Sequence, residues 1–338
     1  MKRFLLWLAG GLIFLMIAIP ASVYIASGLW MDDTYPHTKA TDQLPAFSAE
    51  DSAARAPTLS IVSAGEFKFR ARSAGFGGQQ GNVILLHGFP ESSVMYEKMI
   101  PELAGAGYQV VAFDQRGYSP GARPSDLDAY TTDHLMQDVL DVADSVGFER
   151  FHLVGHDWGA VVGWLLVMAQ NPRIISWSAL SIPHMGAYAD AMTNDPDQQS
   201  RSAYVGFFQT PWLPEAVFSF NNFAMMKEAL YGEHQANTKA EYLTLFSEPG
   251  ALTSALNWYR ASGLTNIDNS PSANISIPTA YIWGNEDGVV GEAALAAQQG
   301  YFDGNLSITE LNTGHWLTET EGEAVNNAVL SHILENSR

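Results

Sequence analysis

The sequence predicts an α/β protein whose mostly parallel sheet is flanked by helices and interrupted by a helical insertion. From Pro57 onward, short apolar runs of strand length alternate with longer runs of helical periodicity, which is typical of a parallel sheet covered by helices. Between about Pro183 and Pro271 the strand pattern stops and aromatic residues accumulate. With 338 residues, 47% hydrophobic and 16% charged, the chain can bury one large core that carries an inserted segment.

The N-terminal region is predicted to lie outside this fold. Two cations precede a run from Phe4 to Met31 that contains no charged residue, and two aspartates follow it. A membrane-spanning helix needs about 20 apolar residues. We therefore expect residues 1–31 to form an N-terminal hydrophobic helix that anchors the protein in a membrane, with a cleaved signal segment as the alternative. The body would then face the periplasm or exterior, or be secreted if cleavage occurs.

Eight strands are expected in the body, of which the first two are short and form a hairpin. The predicted strands are Thr58–Ser63, Glu66–Arg72, Asn82–Leu86, Gln109–Phe113, Phe151–Val154, Ile175–Ile182, Thr279–Trp283 and Leu306–Leu311. The predicted helices between them are Ser92–Ala106, Thr132–Val146, Trp158–Ala169, Glu292–Gln299 and Ala324–Glu335. Apolar side chains recur at helical spacing in Thr132–Val146. The apolar helix Trp158–Ala169 is expected to end near Pro172.

These elements divide the chain into an N-terminal segment and a two-part core. Residues 32–56 are rich in Pro, Thr, Ala and Asp and are predicted to be a linker. The core spans 57–183 and resumes at 272–338, and residues 184–271 are expected to form a helical cap inserted after the sixth strand.

The strongest chemical signal is Asp157, at the centre of a Gly-x-Asp-x-Gly turn between a predicted strand and an apolar helix. Such a nucleophile elbow holds its central residue in a strained conformation, and glycines on either side avoid clashes. A carboxylate can displace a leaving group from a saturated carbon to form a covalent alkyl ester. A second step must then hydrolyse that ester.

Another Gly-x-Ser-x-Gly sequence, around Ser119, is not a nucleophile motif. Pro120 follows the serine and has no N–H for an oxyanion, and no helix begins there. We therefore interpret Ser119 as a loop residue, which argues against a serine esterase.

A histidine and an acid follow the nucleophile in the order found in hydrolases. Asp287 comes directly after the penultimate strand, and His315 follows the last strand. His315 is predicted to be the base that activates water, and Asp287 to orient it, with Glu286 as the competing acid.

Composition excludes several other classes of protein. Lys and Arg number 17 against 36 Asp and Glu, which gives a formal net charge of −19. A nucleic-acid binder needs a cationic surface, so that class is excluded. The chain has no cysteine, which removes disulfides, thiolate nucleophiles and cysteine-based metal sites. We expect neither a metal nor a cofactor, and the oligomeric state is left open.

From about Pro57 to the C-terminus, the sequence resembles the α/β-hydrolase family, in particular its epoxide hydrolases. His87-Gly88-Phe89-Pro90 resembles the family's oxyanion loop, and the turn around Asp157 is similar to its nucleophile elbow. The resemblance implies that the N–H groups of Phe89 and Trp158 build the oxyanion hole, and we expect a cis Phe89–Pro90 peptide.

Two cap segments resemble the tyrosine-bearing segments of epoxide hydrolases, which implies that Tyr204 and Tyr259 donate protons to the oxygen of an opening epoxide. Phenols with a pKa near 10 can do so without being ionised beforehand. The implied substrate is a small apolar epoxide. The residues that we expect to line its pocket are His87, Pro90, His156, Phe208 and Trp258.

Two alternatives stay open at this point. A haloalkane dehalogenase would use the same aspartate and ester, with N–H donors such as the Trp158 indole or Trp212 holding the halide; many dehalogenases carry an asparagine where this chain has Phe89. A catalytically silent binding module on the same fold is expected to lack one member of the triad, and this chain lacks none.

Overall fold

A computed structural model of the protein describes residues 43–262, 275–302 and 305–337. Its centre is an eight-stranded sheet with the strand order β1-β2-β4-β3-β5-β6-β7-β8. The strands are β1 Thr58–Ala64, β2 Phe67–Ala74, β3 Gly81–Leu86, β4 Tyr108–Phe113, β5 Phe151–His156, β6 Ile174–Leu180, β7 Thr279–Gly284 and β8 Leu306–Leu311. All eight predicted strands are present, so the predicted α/β class is confirmed.

The sheet is antiparallel only at its first edge. β1 pairs with β2 and β2 with β4 in antiparallel register, whereas the pairs from β4 to β8 are all parallel. Every residue of β5 and β7 is buried, because helices cover both faces of a parallel sheet. The carboxyl ends of β5, β6, β7 and β8 therefore lie side by side at one edge, where a site can be assembled.

Helices flank this sheet and form the cap. The α-helices are α1 Met99–Gly105, α2 Thr132–Ser145, α3 Trp158–Met168, α4 Met185–Asn194, α5 Pro196–Arg201, α6 Tyr204–Gln209, α7 Leu213–Met225, α8 Ala236–Ser247, α9 Ala251–Ala261, α10 Glu292–Gln298, α11 Leu317–Thr320 and α12 Gly322–Glu335. Short 3₁₀ segments occur at Ser93–Tyr96, Leu127–Tyr130 and Gln299–Tyr301, and a π turn at Met226–Leu230.

The segment Ser92–Ala106, predicted as one helix, consists of two pieces. A 3₁₀ turn spans Ser93–Tyr96, and α1 begins at Met99. In a single helix Pro101 would be an interior residue that breaks the hydrogen-bond ladder, whereas in α1 it lies in the first turn, where no N–H is required.

The insertion after β6 is helical, as predicted, and comprises α4 to α9. The stretch α7 is two short helices across a kink, because Asn221, Asn222 and Phe223 all have positive φ. The predicted end of the cap, residues 263–271, lies outside the described residues.

Ion pairs fasten the cap to the core. Glu241 of α8 receives hydrogen bonds of 3.1 Å from Arg70 and 2.6 Å from Arg72, both on β2. Arg123, from the loop after β4, pairs with Glu248 at 2.7 Å. These partly buried pairs fix the cap above the carboxyl edge of the sheet.

The predicted linker 32–56 needs correction from Pro45 onward. The N–H of Phe47 donates to Ile61 in β1, and the N–H of Phe76 donates to Ser52. The rings of Phe47 and Phe76 meet edge to face at 5.0 Å. Because these backbone groups and side chains find partners on the sheet, this part of the chain belongs to the folded body.

The predicted apolar segment 1–31 and residues 32–42 lie outside the described residues. In the part of the chain that the structure describes, no helix combines the length and the apolar character that a membrane span requires.

Candidate active site

Asp157 lies at a sharp turn between β5 and α3. Its backbone has φ 49° and ψ −120°, a conformation that costs a non-glycine residue free energy and persists only where neighbours enforce it. A Cβ on Gly155 would come within 2.5 Å of the Gly159 carbonyl oxygen, and one on Gly159 within 2.1 Å of the Leu86 carbonyl oxygen. Both glycines are therefore required for the turn to pack against the sheet, and the predicted elbow geometry is present.

The loop after β3 approaches the Asp157 carboxylate directly. The Phe89 N–H donates a 2.7 Å hydrogen bond to Asp157 Oδ1, and the Phe89–Pro90 peptide is cis, as predicted. A Cβ on Gly88 would lie only 2.3 Å from the Asp157 Cβ, so this close approach needs glycine. Trp158 begins α3 beside Asp157, and its part in an oxyanion hole stays a prediction.

His315 stands between two carboxylates. Its Nε2 lies 3.6 Å from Asp157 Oδ2, and its Nδ1 lies 3.2 Å from Asp287 Oδ2. Glu286, the competing acid, is exposed to solvent, whereas Asp287 is almost fully buried. The structure thus brings Asp157, His315 and Asp287 together in the predicted order.

Ser181 completes this cluster and was not predicted from the sequence. Its hydroxyl donates to Asp287 Oδ2 at 2.7 Å and lies 3.0 Å from His315 Nδ1. Ser181 follows β6 with φ 69°, a strained conformation for serine. The only signal in the sequence was its position just after β6. This strand lies between β5, which leads to Asp157, and β7, which leads to Asp287.

The two carboxylates control the charge of His315. Burial by itself lowers the pKa of the His315 imidazole, but the negative charges of Asp287 and Asp157 outweigh it and raise that pKa to about 10. Burial by itself raises the pKa of Asp287, and the neighbouring His315 reverses this, so the net shift is downward. With Asp157 ionised, His315 is therefore protonated at neutral pH.

A second buried cluster holds the His315 backbone. His156 Nε2 lies 2.9 Å from the His315 carbonyl oxygen, and its Nδ1 lies 2.9 Å from Glu91 Oε2. Burial opposes ionisation of Glu91, but the nearby His156 and His234 hold its pKa far below the ordinary value. Glu91 is therefore a buried anion that orients the His156 ring, which in turn contacts the His315 backbone. Glu91 and His156 are 65 positions apart in the sequence, so this pairing was not predicted.

A cavity of about 520 Å³ opens above Asp157, a size typical of small-molecule sites. Asp157, Trp158, Tyr204 and Tyr259 all line it, and the rings of the two tyrosines lie 6.2 Å apart. Burial raises the pKa of both phenols well above 10, and the charge of Asp157 adds to this. Both phenols therefore keep their protons at neutral pH.

The remaining cavity wall comes mainly from the cap and from α3. The other lining residues are Val161, Ile182, Met185, Tyr188, Ala189, Met192, Thr193, Gln199, Ser202, Ala203, Val205, Gly206 and Gln209. Of these, Tyr188 adds a third phenol, and its hydroxyl lies 2.6 Å from the Ser202 hydroxyl. Sequence analysis missed it because no motif distinguishes it from the other aromatic residues of the cap.

The five residues predicted to line the pocket are not among those that line this cavity, so these predictions were wrong. The rings of His87 and His156 are occupied by backbone or carboxylate partners. The Trp258 indole donates to the Arg116 carbonyl oxygen, and Phe208 packs behind Tyr259. Pro90 contributes its carbonyl oxygen to the Tyr231 hydroxyl.

Ser119 and Asp114, in the loop after β4, form hydrogen bonds and an ion pair within the fold. The Ser119 hydroxyl accepts a 2.6 Å hydrogen bond from the Arg70 N–H, as expected for a loop residue. Asp114 accepts from the N–H of Ser93 at 2.8 Å and pairs with Arg70. Within the described ranges, no group of three His, Asp or Glu side chains is arranged to hold a metal ion.

Comparison with known proteins shows the family to which the chain belongs. The model of the α/β-hydrolase fold family matches residues 81–321. Epoxide hydrolase 4 of Mus musculus is 30% identical over 77% of this chain and 76% of its own length, and epoxide hydrolase A of Mycobacterium tuberculosis is 29% identical over 82% and 98%. The crystal structure of the Bacillus megaterium epoxide hydrolase in complex with an inhibitor is similar with a TM-score of 0.73 at 26% identity, covering 81% of this chain and 99% of that one. The chain therefore belongs to the α/β-hydrolase fold family and, within it, to the epoxide hydrolase-like proteins.

Proposed function

We propose that the protein hydrolyses an epoxide to a vicinal diol through a covalent alkyl ester on Asp157. The observation that carries this proposal is the meeting of Asp157, Tyr204 and Tyr259 in one cavity. Relatives named epoxide hydrolase cover most of this chain and support the same reaction. The substrate is a small, largely apolar epoxide, because most of the cavity wall is aliphatic or aromatic.

In the first step, Asp157 Oδ2 attacks an epoxide carbon and the C–O bond to that carbon breaks. The released oxygen is a poor leaving group unless a proton reaches it. Tyr204 and Tyr259 are protonated donors in the same cavity, and they supply the hydrogen bond and the proton. Asp157 Oδ1 remains on the Phe89 N–H, so the carboxylate is oriented for attack.

In the second step, water attacks the carbonyl carbon of the Asp157 ester and His315 takes the proton. Once Asp157 is esterified its negative charge is lost, and with it one of the interactions that raise the pKa of His315. The imidazole then gives its proton to the tyrosinate that the first step left, which restores the phenol and makes His315 a competent base. The Phe89 N–H, joined by that of Trp158, stabilises the oxyanion. Collapse expels the diol and restores the carboxylate.

The test uses two variants and mass spectrometry. Asp157→Ala abolishes turnover because no ester forms. His315→Gln allows alkylation but blocks hydrolysis, so the intact protein gains the mass of one epoxide on the peptide that contains Asp157. An adduct on another peptide, or repeated turnover by Asp157→Ala, contradicts the mechanism.

A haloalkane dehalogenase is the second candidate, because the Trp158 side chain lines the cavity and its indole N–H is a donor suited to a halide. The same protein sample, offered styrene oxide and a bromoalkane in parallel, separates the two reactions. We expect diol release from the epoxide. Halide release without diol would assign the dehalogenase instead.

We further propose that residues 1–31 export the body and anchor it in a membrane. The run from Phe4 to Met31 without a charge supports this. Fractionation of cells expressing the full chain tests it. Protein in the membrane fraction that an external protease digests is expected. Protein in the cytosolic fraction contradicts both the anchor and the signal.

A further inference from the structure

The cavity runs along one face of α4. Met185, Tyr188, Ala189, Met192 and Thr193 all line it, at the spacing of successive turns on one side of a helix. Eight residues of helix extend over about 12 Å. Met185 is buried and Thr193 is exposed, so the cavity extends from the catalytic floor to solvent along this helix.

The solvent end of the cavity has an uncharged rim with two very small side chains. Among the residues that line the cavity, the exposed ones are Thr193, Gln199, Ala203 and Gly206. None of them is ionisable, although the chain as a whole carries a formal charge of −19. An uncharged rim admits neutral groups without desolvating an ion.

Gly206 leaves space that any other residue would fill. It lies inside α6, and a Cβ built on it would meet no heavy atom within 4 Å. Glycine is unfavourable in a helix interior, and here neither a positive φ nor a close neighbour requires it. Because Gly206 also lines the cavity, we expect a larger side chain at this position to occupy its mouth beside Ala203.

We propose that the mouth between α4 and α6 admits the substrate, and that Gly206 determines specificity by leaving room for a long substituent. This inference rests on the proposed epoxide hydrolase function. The preferred substrates are terminal epoxides with a long, neutral, apolar chain. The epoxide lies at Asp157, the chain follows Met185, Ala189 and Met192, and its end passes Gly206 into solvent.

The test compares Gly206→Leu with wild type on straight-chain terminal epoxides of increasing length. Leucine suits a helix but fills the mouth. We expect the ratio of kcat/KM for the longest to the shortest epoxide to fall by about tenfold or more, mainly through KM for the long substrates. Gly300→Leu is the matched control, because Gly300 is also exposed with open space around its Cβ but does not line the cavity.

Three outcomes are informative. A fall in the long-to-short kcat/KM ratio of Gly206→Leu, with Gly300→Leu equal to wild type, supports the entrance. Equal effects on short and long epoxides, or none, overturn it while wild-type turnover upholds the proposed function. If wild type converts no epoxide of any length, the proposed function fails first. Circular dichroism and the thermal midpoint of both variants show whether a loss reflects misfolding.

Discussion

In the proposed mechanism, Tyr204 and Tyr259 distinguish epoxide hydrolysis from dehalogenation. Tyr→Phe removes the proton donor and keeps the ring, so packing around Phe208 should survive. Proton donation contributes about 10²–10⁴-fold to rate. We expect each single variant to slow ester formation and the double variant nearly to stop it, while hydrolysis of a preformed ester changes little. Stopped-flow tryptophan fluorescence separates these phases. A double variant at full epoxide turnover would favour the dehalogenase.

Ser181 should act on the second step instead, because its hydroxyl touches both Asp287 and His315. Ser181→Ala removes the hydrogen bond that the Ser181 hydroxyl donates to Oδ2 of the buried Asp287 carboxylate. We expect ester hydrolysis to slow by roughly 10- to 100-fold, since a lost hydrogen bond to a charged group corresponds to about 1.5–3 kcal/mol. Ser178→Ala is the control, because Ser178 lies in β6 just before Ser181 and its buried hydroxyl lacks a partner. Equal rates for both variants would make Ser181 a structural residue only.

The raised pKa of His315 predicts how the stability of the folded protein depends on pH. Its pKa in the folded protein is about 10 and its ordinary value is 6.5. Because the folded value is raised, the stabilisation is complete below pH 6.5 and is lost as pH rises toward 10. His152 and His184, whose pKa values burial lowers to about 4, act below that window. Urea unfolding of wild type and His315→Gln across this range should give curves that converge with rising pH. Parallel curves would contradict the shift.

At the scale of single residues, local motifs predicted the side chains that the structure brings together in the candidate site, whereas contacts between distant parts of the sequence could not be predicted. Asp157 and His315 stand in short sequence patterns next to strand ends. Ser181 and Glu91 act through partners 65 or more positions away, so nothing nearby in the sequence marks them. His156 sits in the elbow motif and was assigned to the pocket, yet its ring turns to Glu91 because a buried imidazole needs hydrogen-bond partners.

At the scale of elements, periodicity predicted the strands and the helical cap. It did not predict where helices end or are interrupted, because those points depend on particular residues. Pro101 divides one predicted helix, and three consecutive positive φ values divide α7. The cap's position was not predictable from periodicity, because it is set by ion pairs between distant elements.

The clearest of these ion pairs joins α8 to β2 through Glu241. Glu241→Gln would leave Arg70 and Arg72 without this carboxylate, and both guanidinium groups are buried. Because Glu241 is itself partly exposed, we expect a loss of only about 1–3 kcal/mol in the free energy of unfolding, with a raised KM if the cap loosens. Glu228→Gln, an exposed change elsewhere in the cap, is the control. Identical urea midpoints for the two variants would show that the pairs do not fasten the cap.

At the scale of the whole molecule, the body is predicted to fold and act without its apolar N-terminus, but not without the segment that follows. A chain beginning at Gln43 keeps the contacts of Phe47 with Ile61 and Phe76. A chain beginning at Pro57 loses this ring and the hydrogen bonds around it, so β1 becomes an uncovered edge of the sheet. Losing one partly buried aromatic side chain and a few backbone bonds corresponds to roughly 2 kcal/mol.

Epoxide turnover and urea midpoints of the two shortened chains measure this difference. The chain from Gln43 should match the full-length protein in kcat/KM when detergent keeps the latter in solution. The chain from Pro57 should unfold at lower urea, and its remaining folded fraction should be active, because Asp157, His315 and the cap tyrosines are retained. If the chain from Gln43 does not fold, residues 1–42 contribute to the core. If both chains are equally stable, residues 43–56 add nothing to the free energy of unfolding. Those residues would then behave as the predicted linker despite their contacts with the sheet.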